Sequence, residues 1–321
     1  MISVVIPVYN AAATLKRCVD SCLSQSFHDL EIVCVNDGST DGSEDVLLSY
    51  GDKIRVVSQG NAGVVSARHK GVEVARGEWV YFLDSDDYLP PSALADLAAI
   101  IDERTDVAFG NQIVVLNDRL EERVLLPVGL MTGLEYADYS LAHGQGTIGG
   151  KMFRRSLCER LEIDSHLQLN EDLLMNIQIG LMAREVRYCG KSNYYYWWGS
   201  VDSLSKQVNA RSVGSVMAVN RRIKEMLAEN LNARHILDLG YLPYTLRNAA
   251  QLYALDFDVP EMSFVLKEAR RIAIRHPLRF LQEAVKRKSC ILPFVMQLFG
   301  LSLGRRCYHL VLRLRGCIHG V

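Results

Sequence analysis

The chain has 321 residues, 49% of them hydrophobic, which is more length than one average domain needs and enough apolar material for a sizeable core. Predominant disorder is excluded, and a formal net charge of −1 argues against a polyanionic partner for the chain as a whole. That total conceals an asymmetry: from Lys267 onward twelve Lys and Arg face two Glu, a balance of +10 that leaves −11 for Met1–Leu266.

A strand-like run, Ile2-Ser3-Val4-Val5-Ile6, follows Met1 directly, so no signal peptide is expected. The eight cysteines, Cys18, Cys22, Cys34, Cys158, Cys189, Cys290, Cys307 and Cys317, lie among apolar residues with no CxxC pair. They are expected to be reduced thiols in a cytosolic protein, with Cys18 and Cys22 as small buried hydrophobes on one helical face. No run reaches the ~20 apolar residues of a bilayer span. The nearest, Ser289 to Gly304, is interrupted by Pro293 and Gln297.

In chain order, β-branched runs alternate with helical patterns. Strands are expected at Ile2–Val8, Glu31–Val35, Ile54–Val57 and Trp79–Leu83, and helices at Ala12–Ser24, Ser43–Tyr50 and Gly63–Ala75. Such alternation predicts a parallel sheet covered by helices. A helix from Ser92 to Ile101 and a strand from Asp106 to Val115 extend it, and a helical pattern recurs at Leu134–His143. Gly149-Gly150-Lys151-Met152-Phe153-Arg154-Arg155 follows, then Asn170-Glu171-Asp172 opens a helix to about Ala183, its acids suited to the positive end of the helix dipole. After Tyr194-Tyr195-Tyr196-Trp197-Trp198 the pattern is helical almost to the end.

Polar residues cluster where the strands end. Strand one runs into Pro7-Val8-Tyr9-Asn10, strand two into Asn36-Asp37-Gly38-Ser39-Thr40-Asp41, and the fourth into Asp84-Ser85-Asp86-Asp87. In open α/β sheets ligands bind outside these carboxyl ends. Asp84-x-Asp86 supplies hard oxygen ligands suited to Mg²⁺ or Mn²⁺, although an Asp-rich turn capping the next helix has the same composition. An EF-hand is excluded by the missing glycine and distant glutamate. Asp37 follows a buried strand, so its carboxylate can accept from the ring N–H of a base. The same residues also make a good turn and helix start, with Ser43 as the expected cap.

Together with Asn61-Ala62-Gly63, Ala67-Arg68 and Phe82-Leu83, these segments resemble, in order and spacing over roughly residues 1–205, a family 2 glycosyltransferase with the GT-A fold. The resemblance implies an α/β, Rossmann-like nucleotide-sugar-binding domain with a mostly parallel sheet over residues 1–205, followed by a helical, basic region over 206–321. It implies an inverting transfer from a nucleotide-diphosphate donor, a UDP-sugar, to a hydroxyl of a glycan or lipid-linked acceptor in bacterial surface-polysaccharide assembly. The donor nucleotide would be held by Pro7, Tyr9, Asn10, Asp37, Ser39, Arg68, Asp84 and Ser85, with Asp37 on uracil and Tyr9 against the base. A Mn²⁺ or Mg²⁺ ion would be held by Asp86 with Asp84, and Asp172 would be the general base supported by Glu171. One carboxylate suffices for a single displacement, unlike the paired carboxylates of glycoside hydrolases. Lys151 resembles the lysine of a family segment that borders the active site.

Three departures stand out. His69 occupies a position where many relatives have Asn, and Trp197 and Trp198 stand where relatives carry Arg or His. A nucleotidyltransferase would need a Gly-rich loop with a catalytic Lys or Arg after strand one, where this chain has Ala11-Ala12-Ala13. A non-catalytic nucleotide-sugar-binding or scaffold protein is the other alternative; it would bind the nucleotide and turn over no donor. In the last segment, Arg270-Arg271, Lys286-Arg287-Lys288 and Arg305-Arg306 bracket apolar stretches. Such a segment suits an anionic membrane surface, so a cytoplasmic enzyme peripheral on the inner face of the plasma membrane is expected. Nucleic acid is disfavoured by the apolar content and the missing recognition motif.

Overall fold

The computed structural model describes residues 1–116, 119–123, 129–143, 146–167, 169–198, 210–234 and 236, with isolated positions between 271 and 278. The chain divides into two compact units, one of Met1–Ala137 with Gln145–Lys206, the other of Asp138–Gly144 with Gln207–Val321.

The first unit is built on β1 (Ile2–Val8), whose seven residues are all buried. A strand buried on both faces has no polar side to alternate with, which is why it reads as a continuous β-branched run. It pairs in parallel with β2 (Leu30–Asp37) on one side and β4 (Trp79–Phe82) on the other, and β2 pairs in parallel with β3 (Arg55–Gln59). The chain therefore steps outward from β1 to β3 and returns through α3 (Val64–Val74) to β4 on the opposite side of β1. Strand order reverses between β1 and β4, and the crevice so opened at their carboxyl ends is where an α/β sheet binds ligands.

Beyond β4 the sheet is mixed. β8 (Lys151–Arg154) runs antiparallel between β4 and the first half of β5 (Thr105–Leu116), and β6 (Arg119–Arg123) takes over along the second half of β5. β9 (Glu185–Trp197) lies parallel to β5 on its other side, and β7 (Leu130–Thr132) closes the far edge. The strand Asp106–Val115 expected from the sequence thus extends the sheet through β8 rather than by pairing with β4. The 13-residue β9 is not legible as a strand, because Arg187, Lys191 and Ser192 interrupt its apolar alternation. β2 runs two residues past its expected end, since its pairing with β1 continues to Val8↔Asn36.

Helices cover both faces. α1 (Ala12–Leu23) buries Leu15, Cys18, Val19 and Cys22 against Val4, Ile6, Ile32, Cys34 and Tyr81. Its cysteines are the small hydrophobes expected: burial pushes the Cys22 thiol up to about 12, so the protonated, unreactive form persists. α2 (Ser43–Leu48) follows β2, and α4 (Ala93–Ala98) packs its Ala93, Leu94 and Leu97 into the same core. α6 (Arg155–Cys158) and α7 (Glu171–Met182) complete the helices of this unit, and α5 (Gly133–His143) begins in it and ends in the second. In the second unit, α8 (Ala210–Glu229) buries Val216, Met217, Val219, Ile223 and Leu227 along one stripe. Among the described residues no helix is long and apolar enough to cross a membrane. The basic segments around Lys286 and Arg305, and Ser203–Ser205, lie outside the described residues.

α3 sits so close to β1 that a Cβ built on Gly71 would lie 2.2 Å from Cγ1 of Val5. Gly71→Ala is expected to lower unfolding free energy by about 1–3 kcal/mol through overpacking, measured by urea denaturation. A neutral or stabilised variant would show that the helix-to-sheet spacing is not set here.

Candidate active site

The crevice is floored by three interlocked turns. After β1, Asn10 adopts a left-handed backbone, φ 49°, a conformation asparagine tolerates better than most residues. Its Oδ1 accepts from the Thr40 N–H at 2.8 Å and its own N–H donates to Ser39 Oγ at 3.1 Å. Ser39 is fixed in turn by donating its N–H to Asn36 Oδ1 at 3.0 Å. Gly38, φ 73°, is required because a Cβ there would meet the Asn61 nitrogen at 2.8 Å. The expected cap Ser43 is instead the first residue of α2: its N–H donates to Asp41 Oδ1 at 2.9 Å, and its buried hydroxyl accepts from the Ala11 N–H at 2.8 Å. Asp41 is the local acceptor, because its short side chain reaches its own backbone two residues on.

Asp37 is buried and accepts three hydrogen bonds, from Gln59 Nε2 at 2.7 Å and from the N–H groups of Ala62 at 2.9 Å and Gly63 at 2.8 Å. A carboxylate offers about four acceptor sites, so one remains. It shapes the Asn61-Ala62-Gly63 turn and keeps one site for a further donor. Tyr9 is 49% exposed at the lip of the same crevice, and Pro7 is buried in β1.

The loop after β4 is anchored from beneath. Thr14 Oγ1 donates to the Ser85 carbonyl at 2.9 Å and Arg17 to the Asp86 carbonyl at 2.8 Å. The Arg17 guanidinium is sandwiched between the rings of Tyr88, at 4.6 Å, and Trp197, at 4.5 Å. Asp87 is 1% exposed; it accepts from the Tyr194 hydroxyl at 2.5 Å and from the Trp197 N–H at 2.7 Å. The aromatic run at the end of β9 is therefore largely a brace for this loop, with Tyr195 stacked on Tyr88 at 4.5 Å. Trp198 is 39% exposed. Arg17, Asp87 and Tyr194 were not singled out by the sequence; Asp87 was visible only as the last acid of an acidic turn.

Arg68, on α3, gathers the acids. Its side chain is 4% exposed; Nη2 lies 2.9 Å from Asp84 Oδ1, Nη1 lies 3.7 Å from Glu171 Oε1, and Nη1 donates to Asp172 Oδ1. Burial alone would lower the Arg68 pKa, but the charges of Asp172, Asp84 and Glu171 outweigh it and raise it. Asp172 Oδ2 also accepts from the Ile148 N–H at 3.1 Å. Asp172 and Glu171 occupy the first turn of α7, entered through Asn170 at φ 64°. Burial first, and then the Asp172 charge, push the Glu171 carboxyl up to about 8, against the pull of Arg68.

Asp84 and Asp86 carry the case for a cation. Burial first, and then the neighbouring Asp84 charge, push Asp86 up to about 6. An acid whose charge is destabilised by burial and by a neighbouring carboxylate fits a hard divalent cation, which would relieve the repulsion. Among the described residues no group of three or more His, Cys, Asp or Glu is arranged to hold a metal. The pair would therefore share such an ion with water and substrate phosphate, as Mg²⁺ sites commonly do.

A parallel sheet with its switch point at β1/β4, a buried carboxylate at the end of β2 and an acidic loop after β4 defines the class: an α/β domain with its candidate ligand crevice at the strand ends. Its fold is that of S. aureus TarS, whose residues 1–349 in complex with UDP-GlcNAc align with a TM-score of 0.73 at 21% identity, over 98% of this chain and 92% of that one. This is the GT-A architecture. Residues 3–161 match the family model described as Glycosyl transferase family 2, and the chain belongs to that family. Glycosyltransferase GlyA of Streptococcus pneumoniae serotype 4 is 31% identical over 210 residues, 61% of this chain and 30% of that protein. Putative glycosyltransferase EpsH of Bacillus subtilis is 27% identical over 240 residues, 71% of this chain and 70% of its own length. Poly(ribitol-phosphate) beta-glucosyltransferase of Bacillus spizizenii is 30% identical over 207 residues, and the chain spans only 32% of it.

The Glu171 carboxyl binds its proton more tightly in the folded chain than the usual carboxylate. Its contribution to stability is present below about pH 4.5 and is lost as pH rises toward about 8. Glu171→Gln is expected to unfold at a higher temperature than the parent at pH 8, with the difference shrinking toward pH 5. Melting curves across that range check it, and a gap independent of pH would remove the buried-acid interpretation.

Proposed function

We propose that the chain is an inverting transferase that moves a sugar from a UDP-sugar to a hydroxyl of a glycan or lipid-linked acceptor. The observation that carries this reading is Arg68, which brings Asp84 of the β4 loop and Asp172 of α7 to one guanidinium. A carboxylate that would hold the donor and one that would activate the acceptor thus face the same crevice. Asp37 accepts from the uracil N–H with its remaining site, Tyr9 covers the base, and Asn10, Ser39 and Ser85 belong to the turns that shape the nucleotide cradle. Asp172 takes the proton of the acceptor hydroxyl. The oxygen attacks the anomeric carbon on the face opposite the nucleotide, so one C–O bond forms as the bond to the diphosphate breaks and the configuration inverts. Glu171 supports Asp172, and Arg68 holds Asp172 until the acceptor is in place. Asp86 and Asp84 would hold Mn²⁺ or Mg²⁺, which when bound neutralises charge on the departing diphosphate.

The UDP-GlcNAc complex of the TarS fold relative supports a nucleotide-sugar donor, and the beta-glucosyltransferase relative supports hexosyl transfer in surface-polymer assembly. We place the catalytic domain at residues 1–205 and a helical, basic region at 206–321, in a cytoplasmic protein peripheral on the inner face of the plasma membrane.

Nucleotide release should be measured with a panel of nucleotide sugars in Mn²⁺ or Mg²⁺. Asp172→Asn is expected to lower kcat by about 10²–10⁴-fold, the usual worth of a general base, while nucleotide binding persists. Full transfer by Asp172→Asn would reassign the base; donor binding with no turnover of any sugar by the parent would favour a non-catalytic binding protein.

Sedimentation with anionic vesicles addresses the membrane. Binding is expected at low salt, with loss at high salt or on removal of Lys267–Val321; equal binding without that segment would exclude it as the contact.

A further inference from the structure

Below the first turn of α7 lies a polar cluster with no part in the roles above. Lys151, the first residue of β8, is 2% exposed, and its Nζ donates to Asn176 Oδ1 at 2.9 Å. The Tyr136 hydroxyl on α5 donates to the same oxygen, and the Lys151 ammonium lies 5.3 Å from the Tyr136 ring centroid. The Asn176 amide then donates to the Asp172 carbonyl at 2.8 Å and to the Gly146 carbonyl at 3.1 Å. From β5, Gln112 Nε2 donates to Thr147 Oγ1 at 2.9 Å and to the Gly149 carbonyl at 3.1 Å. The turn containing Gly146 and Thr147 is thereby tied both to α7 and to the sheet. Its next residue, Ile148, is the one whose N–H meets Asp172 Oδ2.

A neutral donor would satisfy Asn176 equally well, and burying an amine is costly. What lysine adds is a positive charge close enough to Asp172 to be felt: burial pushes the Lys151 amine down to about 7, and the Asp172 charge opposes that fall. Among the described residues, titratable groups that face it include Asp172 on α7 and the Tyr136 phenol on α5, while β5 presents the neutral Gln112 to the adjoining turn.

We propose that Lys151, Asn176 and Tyr136 form the positioning device of the candidate base: Asn176 fixes the helical turn that carries Asp172, and Lys151 sets the electrostatic environment of its carboxylate. This rests on the reading of Asp172 as general base. Below about pH 7 a charged Lys151 opposes the arrival of the acceptor's proton at the neighbouring site by like-charge repulsion. Above that pH the neutral amine still donates to Asn176 and the repulsion is gone. Turnover therefore rises as pH passes upward through about 7.

Two measurements decide it. In donor-turnover assays, Lys151→Met is expected to lower kcat by about 10- to 100-fold with donor KM changed less than about twofold, the signature of a displaced group and not of lost binding. It should also erase the rise near pH 7, whereas the milder Tyr136→Phe keeps the rise at reduced kcat. Loss of kcat and gain of KM together, with an unchanged pH profile, would reduce the cluster to a structural brace and overturn the proposal. Independently of any reaction, the Lys151 side-chain carbon next to Nζ, observed by NMR in ¹³C-lysine-labelled protein, is expected to titrate near neutrality and to shift to lower pH in Asp172→Asn. An unmoved titration overturns the coupling, and this comparison stands even where Lys151→Met does not fold. A shifted titration in a protein that turns over no donor upholds the coupling and removes the transfer reading instead.

Discussion

Arg68 holds the site together. Its guanidinium is buried on α3, yet it meets carboxylates from the β4 loop, at Asp84, and from the start of α7, at Glu171 and Asp172, which are far apart along the chain. Three acids drawn into one partly desolvated crevice would repel one another strongly, and the arginine is what makes their approach tolerable. An arginine suits this role because it stays charged and offers several donors in a fixed fork. Removing it would leave buried carboxylates without compensation, the costly way to break a buried pair. The ion pairs also bias the resting site, because Asp172 is engaged by Arg68 and the Ile148 N–H before any acceptor arrives.

The sheet supplies the precision that these charges require. β1 is buried on every residue, and its switch point with β4 sets the mouth of the crevice. The turns above it are cross-linked by side-chain-to-backbone hydrogen bonds: Asn10 to Thr40, Asn36 to Ser39, Asp37 to Ala62 and Gly63. The acidic loop is held the same way, by Thr14 and Arg17 from α1 and by Tyr194 through Asp87. Catalytic geometry tolerates errors of only a fraction of an ångström, and each of these bonds removes a freedom that a polar loop would otherwise keep.

The parallel half of the fold was legible because its strands are buried β-branched runs and its helices show apolar spacing between glycine-rich turns. The polar strand-end turns were legible for a related reason: they stand where local sequence dictates local shape. β9 escaped because polar residues interrupt its alternation, and its pairing with β5 comes from sheet closure over some eighty residues of separation. Ser43 was misjudged as a cap because Asp41, two residues earlier, accepts both its N–H and its hydroxyl and draws it into the first turn of the helix. Trp197 and Trp198 carried no readable role, since a tryptophan that stacks on Arg17 looks the same in a sequence as one in a core.

By itself the sequence determined the order of the elements, the polar strand ends and the charge asymmetry between body and tail, because each depends on neighbours along the chain. Only the tertiary structure decided that Arg68 faces Asp84, Glu171 and Asp172, that Asp87 is a buried brace, and that Lys151 lies beneath the candidate base. Those facts depend on which segments the sheet brings within a few ångströms and how far it removes them from water. Charge interactions are set by distance and desolvation, neither of which is written in residue spacing.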